Sequence, residues 1–244
     1  MKIALIAALS ETNQPEANFQ RMQDWAKKAK AAGAELALFG EAFLQGFEAM
    51  TFDYQQDIEK TFSSGSHIIA RICAFARETG IALGFGYYEN DHGAIYASYL
   101  LVSAEGQIMA NYRRMSPGWK EPGAHADYRE GKHFLTVRYL DKTLGLMLCG
   151  DFWEDHLLPA IVEMDLHADA FLWPVHCDYA VSDWEEGIRE EYRERSQILE
   201  HPVLFINNVA ALADRAKGGL YHWFLGKTVD ALEMGTEGML VVEV

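Results

Sequence analysis

The chain has 244 residues, half of them apolar and 23% charged, which fits a folded globular protein able to bury one large core and excludes a disordered chain. Its 36 acidic side chains outnumber 21 basic ones, a formal charge of -15 that repels a nucleic-acid backbone. No apolar run approaches the ~18 residues of a membrane span, so neither nucleic acid nor a bilayer is an expected partner.

Met1-Lys2 followed by seven apolar residues, Ile3 to Leu9, has the outline of a secretion signal. The stretch is short for a signal core and lacks a small-residue cleavage site, so it reads instead as a buried first strand over 3 to 8. Helical spacing of Phe19, Met22, Trp25, Ala26 and Ala29 predicts a helix over 15 to 32, stopped by Gly33. The apolar segment 35 to 39 predicts a strand that ends on Gly40-Glu41. A second helix is expected over 65 to 79, stopped at Gly80, followed by strands over 81 to 88, 95 to 103 and 108 to 112. From Arg113 to Lys132 the pattern breaks into a loop rich in Gly, Pro and charge, too long for a simple connector.

The second half follows the same logic. A buried strand over 143 to 148 ends on Cys149-Gly150-Asp151, a helix follows over 155 to 166, and a strand over 170 to 174. A charged helix over 184 to 200 leads to a strand over 203 to 207, and the tail from 220 to 244 reads as short strands and turns. Strand and helix alternate throughout, which predicts an α/β layered protein. No linker or composition shift divides the chain, so residues 1 to 244 are expected to form a single domain.

Two polar residues stand where buried strands end. Cys149 follows Leu-Gly-Leu-Met-Leu at an expected strand-to-helix turn, a place where a thiolate could attack a carbonyl while a backbone amide faces the developing oxyanion. A buried structural cysteine is the alternative. Glu41, its pKa raised by partial desolvation, could serve as general base, or stand as a solvated loop acid. His176-Cys177-Asp178 gathers three metal-ligand types, but successive strand residues face opposite ways and no Cys-x-x-Cys or His-x-x-x-His accompanies them, so no metal is expected. No Gly-x-Ser-x-Gly elbow occurs, and Gly84-Phe85-Gly86 is too short for a dinucleotide loop. The three cysteines, Cys73, Cys149 and Cys177, are odd in number and lack paired spacing, which argues against a disulfide framework and for the cytoplasm.

The order of acid, basic loop and cysteine resembles the nitrilase superfamily, the carbon-nitrogen hydrolases, over nearly the whole chain. NFQRMQDWAKKAKAAGAELALFGEAFLQGF is similar to the block leading to the family's catalytic glutamate, here Glu41, with Gly40 where the family usually has Pro. GFGYYENDHGAIYASYLLVSAEGQIMANYRR is similar to the block ending in Tyr-Arg-Lys, with Arg114 in place of the catalytic lysine. The nearest lysine is Lys120. Because a guanidinium and an ammonium are not interchangeable, Lys120 is the favoured occupant of that role and Arg114 the alternative. LGLMLCGDFWEDHLLPAIVEMDLHADAFLWPV resembles the nucleophile block and gives Cys149 its role. REEYRERSQILEHPVLFINNVA and the closing strands complete the match. The family's second glutamate has no clear counterpart, since Glu121 and Ala126 both stand near its place.

The resemblance implies a four-layer α-β-β-α sandwich that pairs into a homodimer or higher homo-oligomer, with the helix over 184 to 200 at the contact. It implies a hydrolase cleaving a small amide, ω-amide, N-carbamoyl compound or nitrile through a Cys149 thioester, without metal or organic cofactor. Trp119, Trp153, Trp173, His176 and Tyr179 are candidates to line the pocket, although aromatic residues near strands are more often core. The alternative, motivated by the missing lysine, is a weak or inactive relative that binds an amide-like ligand or a protein partner.

Overall fold

The computed structural model describes all residues from Met1 to Val244. In chain order the strands of the first half are β1 (Lys2–Ala7), β2 (Leu9–Ser10), β3 (Leu36–Leu38), β4 (Ala82–Asp91), β5 (Ala94–Val102) and β6 (Ile108–Arg113). The helices among them are α1 (Pro15–Ala31), α2 (Tyr54–Asp57) and α3 (His67–Thr79). The second half carries β7 (Leu135–Tyr139), β8 (Lys142–Leu146), α4 (Leu158–Asp165), β9 (Ala170–Val175), α5 (Val181–Asp183) and α6 (Arg189–Ser196). It closes with β10 (Val203–Asn207), β11 (Val209–Ala210), β12 (Leu220–Phe224), β13 (Lys227–Leu232) and β14 (Gly238–Glu243).

Two six-stranded sheets form the interior, in the orders β14-β1-β3-β4-β5-β6 and β13-β12-β10-β9-β8-β7. The period of two along each strand sorts side chains between layers. In β1, Ile3, Leu5 and Ala7 meet Leu144, Leu146, Leu172, Leu204 and Ile206 between the sheets, whereas Ala4 and Ile6 face Met22, Ala26, Ile69 and Ile72 of α1 and α3. In β9, Ala170 and Leu172 enter the intersheet core while Phe171, Trp173 and Val175 point to the opposite side, against Ile161, Met164, Trp184 and Tyr192. The result is the four-layer α-β-β-α sandwich expected.

Helix α1 begins at Pro15 and stops before Gly33, which is left-handed at φ 84°, and α3 ends on the left-handed Gly80 at φ 63°. Two expectations need amending. The continuous helix over 184 to 200 is instead a wide turn over Trp184–Ile188 joined to α6, because Gly187 leaves helical geometry at φ 179°. Strand β7, an edge strand, had been hidden in the run after the long loop; it pairs antiparallel with β8 from Leu135 opposite Leu146 to Tyr139 opposite Lys142.

Candidate active site

Parallel strands β3 and β8 occupy interior places in the two facing sheets, and each delivers one polar residue just past its last ladder bond. After β3 the chain continues through Phe39 and Gly40 to Glu41, whose side chain is 1% exposed. Asn208 fixes this turn from the other sheet: its Oδ1 accepts from the Gly40 N–H at 2.8 Å and its Nδ2 donates to the Glu41 carbonyl at 2.8 Å. A proline at position 40 would have no N–H for that bond. A Cβ at Gly40 would also lie 2.8 Å from the Asn208 side chain and 2.9 Å from the Val175 carbonyl, so glycine is the residue this turn takes.

After β8, Met147 and Leu148 lead to Cys149, held left-handed at φ 46°, a conformation costing a non-glycine residue on the order of 1–3 kcal/mol. The surroundings enforce it. The indole Nε1 of Trp173 donates to the Cys149 carbonyl at 2.8 Å, and the Cys149 thiol faces the His176 carbonyl at 3.9 Å. Asp151, fully buried, accepts from the N–H groups of Leu148 at 2.9 Å, Met115 at 2.9 Å and Ser116 at 2.7 Å, and from the Tyr112 hydroxyl at 2.6 Å. One carboxylate thereby ties the turn that carries Cys149 to the segment that carries Arg114.

Arg114 is 4% exposed. Its Nη1 donates to Glu41 Oε1 at 2.8 Å and its Nε to Ser116 Oγ at 2.7 Å. Nη2 lies over Gly150, where an added Cβ would come within 2.5 Å of it and 2.9 Å of Ser116 Oγ. Glu41 Oε2 is buried with no hydrogen-bond partner in the fold. Burial, first, and the negative charge of Cys149, second, push the Glu41 carboxyl up to about 8 against the opposing Arg114 charge. A hydrogen bond from the neighbouring Cys177 thiol, first, and the charge of Arg114 hold the Cys149 thiol well below its usual range, while burial opposes them; Cys177 is pushed up in turn. Glu41 and Cys149 thus share one negative charge, and Arg114 balances it.

Of the residues singled out from sequence, the fold brings Glu41, Arg114 and Cys149 together. Lys120 is elsewhere: its ammonium donates to the Tyr128 carbonyl at 2.6 Å and pairs with Glu130 at 2.6 Å. Lys120 and Trp119 line a cleft of about 510 Å³ together with Phe47, Glu48, Asp178 and Arg215. Within it Trp119 is only 2% exposed, packed on Tyr88 and Tyr128. His176 adjoins the cleft through its contacts with Glu48 at 3.0 Å and Asp178 at 2.9 Å.

Trp153, Trp173 and Tyr179 all pack against Tyr192. Trp173 is fully buried on the helix-facing side of β9, where the strand's alternation sends it, and supports Cys149 from behind. Tyr179 packs on Trp184 and Tyr192, and Trp153 lies against Tyr192 and beneath the Arg195 guanidinium, 38% exposed. Sequence reasoning missed the contributions of Asp151, Ser116, Asn208 and Cys177. Asp151 alone had a local signal, a carboxylate two residues after the cysteine at the same strand end.

Residues 2–240 match the model of the family described as Carbon-nitrogen hydrolase. A cyanide hydratase from Stereum hirsutum is 27% identical over 191 residues, 72% of this chain and 51% of that protein. The chain spans about half the length of the curated relatives it matches first. Among solved structures, an amidase from Nesterenkonia sp. superposes with a TM-score of 0.82 at 21% identity, covering 100% of this chain and 90% of that one. A mutant of the amidase from Nesterenkonia sp. AN1, bearing the acetamide moiety of fluoroacetamide covalently on its active-site cysteine, superposes with a TM-score of 0.81 at 19% identity, over 100% and 90% of the two chains. At these identities the structures establish the shared fold.

Proposed function

The chain belongs to the carbon-nitrogen hydrolase family, and from that premise we propose that it hydrolyses the non-peptide carbon-nitrogen bond of a small amide, ω-amide, N-carbamoyl compound or nitrile through a Cys149 thioester. The observation that carries the reading is the convergence of Glu41, Arg114 and Cys149 from two sheets on one buried point, with Arg114 Nη1 2.8 Å from Glu41. The covalent cysteine adduct of the Nesterenkonia amidase is the chemistry expected of Cys149.

For an amide, the Cys149 thiolate attacks the carbonyl carbon, and the electron pair of the C=O bond moves to oxygen. Arg114 Nη2, the one guanidinium nitrogen not committed to Glu41 or Ser116, is the donor we assign to that oxyanion. Glu41, held protonated by burial, passes its proton to the departing nitrogen, and the C–N bond breaks to leave a thioester and ammonia or an amine. The Glu41 carboxylate then takes a proton from water, whose oxygen attacks the thioester; acid leaves and Cys149 returns as thiolate. Arg114 therefore replaces Lys120 as our assignment for the family's cation. The cleft beside Trp119 and Lys120 is the assigned approach for substrate, with His176 adjoining it through Glu48 and Asp178.

Residues 1 to 244 act as a single domain in this reading, working in the cytoplasm as a homodimer or higher homo-oligomer. Support comes from three free cysteines, from the absence of any helix long and apolar enough to cross a membrane, and from the likeness to the family. The test is ammonia release from a panel of amides, ω-amides, carbamoyl compounds and nitriles, with Cys149→Ala as paired control. Release that vanishes in the variant names the substrate class. Silence across the panel from folded protein would instead favour a ligand-binding relative without turnover.

A further inference from the structure

Beside the nucleophile, on its cleft side, stands a second cluster that the hydrolytic chemistry does not use. His176 follows β9 with its ring laid flat on Phe47, centroids 4.3 Å apart and planes 7° from parallel. Its side chain is 3% exposed. Nε2 lies 3.0 Å from Glu48 Oε1 and 2.9 Å from Asp178 Oδ1. Yet both Nε2 and Glu48 Oε1 are buried atoms that satisfy no hydrogen bond. A ring nitrogen hydrogen-bonded to a carboxylate aligns with the oxygen, as Nδ1 of His201 and Oδ1 of Asp165 do at 2.9 Å. Here two carboxylate oxygens flank Nε2 at hydrogen-bond distance and neither contact has the geometry of a hydrogen bond.

That arrangement is what a shared cation requires. Ligands set at right angles around an ion at the ~2.1 Å of octahedral coordination stand about 3.0 Å from one another. The three ligand atoms all lie within 4.8 Å of one another. We infer that Glu48, His176 and Asp178 form a binding site for a divalent transition-metal ion, one imidazole nitrogen and two carboxylate oxygens on one side, the rest of its coordination open to water or to a polar group in the cleft. The imidazole selects a transition metal over magnesium or calcium, and the two hard oxygens select against a copper(I)-type ion. The three residues border the cleft assigned to substrate but take no step in the Cys149 chemistry, so metal binding is tested without reference to turnover.

The framework is set before an ion arrives. Asn207 clamps the residue between His176 and Asp178, its Oδ1 accepting from the Cys177 N–H at 3.1 Å and its Nδ2 donating to the Cys177 carbonyl at 3.3 Å. Stacking on Phe47 fixes the imidazole plane, and Glu48 is the next residue along from Phe47. Positive charge is at present supplied by Arg215, whose Nη1 is 3.2 Å from Asp178 Oδ2 and whose Nε is 3.8 Å from Glu48 Oε1. The Arg215 side chain is 42% exposed and its Nε makes no hydrogen bond. It is the group an incoming ion displaces.

The experiment titrates the chelator-treated full chain with Mn²⁺, read by loss of the free-ion electron paramagnetic resonance signal, and with Zn²⁺ by calorimetry. Both are repeated in Cys149→Ala, which removes thiolate competition for zinc. One ion per chain is expected in both backgrounds. Glu48→Gln and Asp178→Asn, isosteric changes checked for fold by circular dichroism, should each weaken binding at least tenfold, whereas Arg215→Ala should tighten it. Absence of stoichiometric binding would reduce the cluster to an ion-pair network and overturn the inference. So would binding that the two isosteric variants leave unchanged, because the ion would then sit elsewhere.

Discussion

Arg114 and Lys120 leave the same stretch of chain six residues apart, and the fold treats them in opposite ways. Arg114 is 4% exposed and bonded to Glu41 and Ser116 inside the sandwich; Lys120, its side chain 20% exposed, pairs with Glu130 and caps the Tyr128 carbonyl at the cleft rim. The difference begins with Asp151. Its carboxylate binds the backbone N–H groups of Met115 and Ser116, so the chain cannot leave the Cys149 turn until after Ser116. Arg114 is consequently trapped beside Cys149, and Lys120 falls beyond the anchor. Where the backbone is tied thus decides which of the two charges stands beside Cys149.

Removing the trapped cation should produce the largest effect. Arg114→Ala is expected to lower kcat by roughly 10²–10³-fold, the loss typical of one oxyanion donor. It also leaves the negative charge shared by Glu41 and Cys149 buried without its partner, a change that costs about 3–5 kcal/mol where buried pairs are broken. Arg114→Lys keeps the charge but cannot bond Ser116 and Glu41 as a planar fork, so intermediate activity is expected from it. Steady-state kinetics on the substrate found by the ammonia panel decides this. Full activity in Arg114→Ala would end the assignment of the oxyanion donor.

Loosening the anchor while sparing both cations comes next. In Asp151→Asn a carboxamide N–H must face donors the carboxylate now accepts from, and the unsatisfied group should cost about 1–3 kcal/mol. Turnover should fall on the order of 10- to 100-fold through misplacement of Arg114 relative to Cys149. Thermal denaturation and kcat measured together separate the two effects: a lowered Tm with unchanged kcat would show that Asp151 holds the fold but not the geometry.

The pH profile probes the shared charge more gently. Glu41 titrates at about 8 because burial disfavours its carboxylate. Since the protonated form delivers the proton to the leaving nitrogen, kcat/KM should hold up to that pH and then drop about tenfold per unit above it. Were Glu41 needed only as carboxylate, the limb would have the opposite sign, with activity rising through pH 8. Stopped initial rates from pH 6 to 10 distinguish the two slopes.

The strands, helices and the two strand-end residues were readable in advance because each leaves a local mark: periodicity in β1, β9, α1 and α3, stop glycines at Gly33 and Gly80, and a polar residue directly after an apolar run at Glu41 and Cys149. What escaped is long-range. Asn208 reaches Gly40 and Glu41 across more than 160 positions of sequence, and Cys177 meets Cys149 only because β8 and β9 are parallel neighbours. Trp153, Trp173 and Tyr179 looked like pocket residues because they are aromatic and near strand ends. Strand alternation in β9 sends Trp173 to the helix-facing side, and all three pack around Tyr192. The different placement of Arg114 and Lys120 was invisible for the same reason, since Asp151 anchors Met115 and Ser116 from another sheet.

The smallest expected effect is therefore the sharpest test of the comparison. Lys120→Ala removes a partly exposed ion pair with Glu130 and a bond to the Tyr128 carbonyl, interactions that in such settings are worth about 1 kcal/mol or less. Stability should drop by about that amount, and kcat should stay within roughly threefold of the parent, with any larger change confined to KM because Lys120 lines the cleft. A loss of orders of magnitude in kcat would mean that the segment beyond Ser116 folds inward when substrate binds, carrying the ammonium to the place Arg114 holds here. The anchor at Asp151 would then act as a hinge for that motion, and Asp151→Asn should abolish the sensitivity to Lys120 rather than add to it.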